Sequence, residues 1–116
     1  MACTGGKCVL SGNVRRLRVA GMEALQEGKM EQAETLLRQA VALSEAGGGV
    51  NVATAHSTYQ LAVALHEAGR SDEAAEQFVK ALELVRSRAG RGSKLYKTIL
   101  GSFAQALPAR AQAVGE

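Results

Sequence analysis

From Val14 onward the apolar residues of this chain recur at intervals of three and four, the spacing of one face of an α-helix rather than the alternation of a strand. Five such stretches follow one another. Val14, Leu17, Ala20, Gly21, Ala24 and Leu25 form the first face, and Met30, Ala33, Leu37, Ala40, Val41 and Ser44 the second. Ala55, Thr58, Leu61, Ala62 and Leu65 make a third, and Ala74, Phe78, Ala81, Leu82 and Val85 a fourth. The fifth and broadest runs through Leu95, Tyr96, Ile99, Leu100, Phe103, Ala104 and Leu107. Punctuation falls between them. Asn13, Asn51 and Ser71 are placed to accept from free amides of a first helical turn, and the fifth helix starts near Ser93. Gly28 and Gly69 supply left-handed ends, the glycines at 47–49, 90 and 92 break the chain, and Pro108 stops the last helix.

The stretch EGKMEQAETLLRQAVAL, residues 27–43, returns 41 positions later as AGRSDEAAEQFVKALEL. Gly28 recurs as Gly69, Ala33 as Ala74, Ala40 as Ala81 and Leu43 as Leu84, while Leu37 is answered by Phe78. Gly21 and Ala62 hold equivalent places in the preceding helices. A mid-helix glycine costs about 0.5 to 1 kcal/mol relative to alanine, so Gly21 implies close approach of a neighbouring helix. The pattern is a duplicated helical hairpin. Residues 13–46 and 51–89 form the two units, 93–107 caps them, 1–12 read as a flexible arm, and 108–116 read as a tail too short and polar to supply a partner helix.

Composition agrees with this reading and narrows the chemistry. The 116 residues suit one domain with one modest core, proline occurs once, and good helix formers fill the periodic segments. No apolar run is long enough to span a bilayer, and the first residues lack the apolar centre of a secretory signal, so a cytoplasmic protein is expected. The net charge of +3 is unevenly spread: residues 1–20 carry +4, residues 21–85 carry −6, and residues 86–116 carry +5.

Taken together, Gly21, Gly28, Ala33 and Ala40, repeated as Ala62, Gly69, Ala74 and Ala81, resemble the tetratricopeptide repeat family. The resemblance covers Asn13 to Leu107, and the 41-residue spacing is similar to the long-helix variety of the repeat, as in kinesin light chains. It implies an all-α, right-handed stack of antiparallel hairpins, and the eight small residues are its packing positions. It also implies a concave groove lined by the first helix of each unit. Here those positions are Arg15, Arg18, Met22 and Leu25, then His56, Tyr59, Val63 and His66. Each set has the spacing i, i+3, i+7, i+10, a stripe along one helix face. The mixture of cations, apolar groups and an aromatic suits a protein or peptide partner, extended or helical, that carries acidic residues. Leu25 and His66 read equally well as edges of the core. The lysine and asparagine clamp that some family members use on heat-shock chaperones is not matched, since Met22 and Gln60 stand where asparagines belong.

Other chemistry is weakly supported. His56 and His66 are separated by about 15 Å along a helix, too far to share an ion. Cys3 and Cys8 make half a zinc site at most, completed only in a homodimer, and read as free thiols. Arg86, Arg88, Arg91, Lys94 and Lys97, with Arg15, Arg16 and Arg18, are the basis of a nucleic-acid alternative that lacks interleaved aromatics for stacking. No nucleophile and base constellation is present. The expectation is a non-enzymatic interaction module without cofactor or metal, monomeric or homodimeric.

Overall fold

The computed structural model describes residues 6–47 and 52–115, apart from the side chains of residues 6–12 and 115. Six helices follow in order: α1 (Gly6–Gln26), α2 (Met30–Ala46), α3 (Val52–Glu67), α4 (Ser71–Ala89), α5 (Lys94–Ala106) and α6 (Pro108–Gly115). There is no strand among the described residues. Each helix packs against the next, and α3 also touches α1 and α5.

Both hairpin turns are built alike. Gly28 has φ +80° and Gly69 φ +84°, in the left-handed region. The Gly28 amide donates to the Leu25 carbonyl at 3.0 Å, and the Lys29 amide to that of Ala24 at 2.9 Å. The same two bonds recur from Gly69 to His66 and from Arg70 to Leu65, at 3.0 and 2.9 Å. This paired closure satisfies the last carbonyls of one helix and lets the next begin at once. Ser71 is therefore not the cap of α4, contrary to expectation; the turn is so tight that Arg70 occupies the cap position, without a side-chain cap bond. Ser93 does cap α5, its hydroxyl accepting from the Tyr96 amide at 3.1 Å. Asn51 lies outside the described residues.

The core follows the hydrophobic pattern closely. Ala33, Leu37, Ala40, Ala55, Ala62, Leu65, Ala74, Phe78, Ala81 and Val85 are fully enclosed, as are Ile99 and Phe103. Phe78 stacks on Phe103 with ring centroids 4.8 Å apart, locking α4 to α5. A methyl group at Gly21 would sit 2.7 Å from the Cγ of Leu37, so glycine allows the close approach of α1 and α2 that the sequence implied. Ala104, expected on the inner face of α5, is exposed. It lies at the edge of that broad apolar face, beyond the width that α3, α4 and α6 cover.

Two boundaries differ from expectation. Residues 6–12 extend α1 instead of joining a flexible arm, which leaves Asn13 inside the helix rather than at its cap. Residues 1–5 lie outside the described residues. The tail is also not a tail. Pro108 opens α6, because its fixed φ and missing amide suit a first helical turn as well as they stop the helix before it. Ala111 is 3% exposed and Val114 packs against the core, so α6 is a short third partner helix. The stack is two hairpins and a third whose second helix is described over eight residues.

Candidate functional site

The first helices of the three hairpins, α1, α3 and α5, lie side by side, whereas α2, α4 and α6 approach one another less closely. The second helices are bridged instead by long ionic side chains. Arg38 donates to Glu34 at 2.8 Å, Arg70 bonds both Glu34 and Glu73, and Arg38 reaches Glu73 at 3.5 Å. Lys80 pairs with Glu45 at 3.4 Å, and Arg110 with Asp72. Near approach on one side and splay on the other curve the stack toward α1, α3 and α5.

The expected groove residues sit on that inner layer, in different circumstances. Met22, Leu25, Tyr59 and Val63 are half-buried and pack against the core, so each supports the fold as well as facing outward. Tyr59 is the most committed. Its hydroxyl shares a hydrogen bond with the Ser102 hydroxyl of α5 at 3.0 Å, and its ring lies 6.1 Å from His56 and 6.3 Å from Phe78. His66 is half-buried, with its Nδ1 enclosed and unpartnered.

Arg15 and Arg18 are placed differently. Arg15 is exposed, and no ion pair holds Arg18 among the described residues. Burial, and secondarily the charge of Arg15, lower the Arg18 pKa from its ordinary value. Burial and then the Arg18 charge lower that of His56, a sign that positive potential is concentrated between α1 and α3. The Nε of Arg18 and the Oε1 of Gln60 are both buried without a hydrogen-bond partner. They border one cavity of about 210 Å³, with Val19, Met22, Glu23 and Gln26. An adjoining cavity of about 440 Å³ brings in Arg15, Arg16 and Ala20. Val19 lines both and is 50% exposed, the most exposed of the large apolar side chains among the described residues. Sequence reading passed over Val19 and met Gln60 only as a mismatch to the chaperone clamp; the i, i+4 relation of Val19 to Arg15 was the available signal, whereas Gln60 joins the site only through the packing of α3 on α1.

The remaining chemistry does not assemble here. Arg86 and Arg88 end α4, Lys94 and Lys97 begin α5, and all are exposed. The aromatic among them, Tyr96, is 6% exposed and offers no stacking face. Cys3 and the Cys8 side chain lie outside the described residues. No helix among the described residues is long and apolar enough to cross a membrane.

Antiparallel hairpins stacked so that their first helices share one inner face define a helical-repeat protein. A family model, Tetratricopeptide repeat, matches residues 15–87, and the chain belongs to that family. Comparison with curated proteins and with solved structures gave no match.

Proposed function

We propose that this chain, as a member of a family of protein–protein interaction modules that are typically without catalytic activity, is a non-enzymatic adaptor or assembly module whose α1–α3 face receives a partner segment bearing acidic residues. The observation that carries the reading is Arg18: a half-buried cation with an unpartnered Nε, beside the unpartnered Gln60 amide oxygen. A carboxylate delivered there gains a charge-assisted bond in partly desolvated surroundings. Val19 and Met22 alongside supply apolar contact, so an amphipathic helix or extended peptide with an acidic residue next to an apolar one matches both parts. Glu23 at the same cavity lets the partner carry a cation at its flank.

The test is binding of an array of acidic, apolar-containing peptides to the wild type and to Arg18→Glu and Val19→Ser. The two changes together are expected to weaken binding by about a hundredfold, a charge reversal plus loss of a contact, with helical circular dichroism and melting temperature nearly unchanged. Peptides that bind the wild type and the double variant equally well overturn the reading.

A further inference from the structure

A cavity of about 1180 Å³ lies away from the Arg18 site, between α4 and α6. Its shape follows from the unequal lengths of these two helices. Arg110 in the first turn of α6 bonds Asp72 in the first turn of α4, so the two helices start side by side. With 8 residues against 19, α6 runs about 12 Å while α4 runs about 28 Å. Val79, Leu84, Phe103, Ala113 and Val114 supply its apolar lining.

We propose that this face is a homodimer interface, in which α4 packs antiparallel against α4 of a second copy. The charges on the rim carry the choice of occupant. Asp72 and Glu76 stand toward the N-terminal end of α4 and Arg86 toward its C-terminal end, with Lys80 and Glu83 between. The rim is balanced overall, with three acids and, counting Arg110, three bases, so a strongly acidic or basic partner gains nothing from it. A second copy does gain. About a two-fold axis near residue 81, Glu76 meets Arg86 of the second copy and Lys80 falls beside its Glu83, and each pairing occurs twice because the contact is isologous. A parallel arrangement sets Glu76 against Glu76 and Arg86 against Arg86. Glu76, Glu83 and Arg86 are exposed and make no ion pair among the described residues, so they are available for this use. Antiparallel packing also opposes the two helix dipoles. The second copy's α4 then lies along this face of α4, and the α1–α3 face stays accessible in both copies.

Isologous pairing allows a test by charge exchange on the full chain, read by sedimentation velocity from micromolar to sub-millimolar concentration. The wild type is expected to show a reversible monomer–dimer equilibrium. Glu76→Arg and Arg86→Glu, each alone, place like charges in both contacts and are expected to weaken dimerisation about tenfold or more. The double variant Glu76→Arg/Arg86→Glu, and an equimolar mixture of the two single variants, restore opposite charges in both contacts and are expected to recover it. Matching thermal melts of all variants establish that each is folded, since neither side chain has an intramolecular partner among the described residues. A wild type that stays monomeric overturns the proposal, as does a dimer insensitive to either single change. Failure of both the double variant and the mixture to recover dimerisation overturns the antiparallel pairing.

Discussion

At Gly21 the distance between two helices is set by the absence of one methyl group. Alanine there gains up to about 1 kcal/mol of helix propensity, but its Cβ meets the branch point of Leu37, which is itself fully enclosed and cannot swing away. Gly21→Ala is therefore expected to be net destabilising, by about 1 to 2 kcal/mol from overpacking, measured as a lower urea midpoint with an unchanged slope. Ala33→Leu and Ala74→Leu push on equally closed sites and should each cost about 1 to 3 kcal/mol. Melting curves of the two variants superimposable on the wild type would contradict the hairpin packing. Ser93→Ala removes the one side-chain cap at a helix start among the described residues and should cost about 1 kcal/mol. Gly21 was legible as a close-packing residue because nothing else explains a glycine in mid-helix. Tyr59 was not, because its bond to Ser102 spans 43 residues and exists only once α5 lies beside α3. For that reason Tyr59→Ala damages the fold, and tests of the inner face are better made at Arg18 and Val19.

Between elements, the ionic clasp of Glu34, Arg38, Arg70 and Glu73 joins α2 to the start of α4. Hydrogen bonding to Arg70 holds the Glu73 carboxyl below its ordinary pKa. A carboxylate whose folded pKa is depressed adds stability above its unfolded pKa and loses it as pH falls through the folded value. Glu73→Gln should thus lower the melting temperature slightly at neutral pH, and the difference should shrink once pH drops below the glutamate range. Full exposure keeps the effect small, and salt should reduce it further. The i, i+4 pair of Glu34 and Arg38 was readable from spacing, but its extension to Arg70, 36 residues away, was not. The same contrast explains α6. Eight residues of low hydrophobicity form no stable helix alone, yet Pro108 starts a turn, Ala111 is buried and Arg110 reaches Asp72. Removing residues 108–116 is expected to lower the melting temperature by several degrees, by uncovering the apolar surface around Phe103; a truncated chain as stable as the whole would show that α6 is not a packed element.

Across the whole molecule, close packing of α1, α3 and α5 and splaying of α2, α4 and α6 create two faces of different character. One concentrates positive potential around Arg18 and is the proposed partner face; the other is charge-balanced around α4 and is the proposed self-association face. Variants at Arg18 and Val19 should leave the sedimentation behaviour unchanged, and variants at Glu76 and Arg86 should leave peptide affinity unchanged. Cross-talk between the two sets would mean that they do not act as separate surfaces. The sequence by itself determined the helices, their turns, the duplicated unit and most of the core, because those depend on local spacing and on small residues that tolerate few alternatives. The tertiary structure alone decided that residues 6–12 and 108–115 are helical, that Tyr59 is tied to Ser102, that Val19 and Gln60 border the Arg18 cavity, and that a cavity opens between α4 and α6. Apart from the extension of α1, these rest on packing between residues far apart in the chain, whose partners no local pattern can specify.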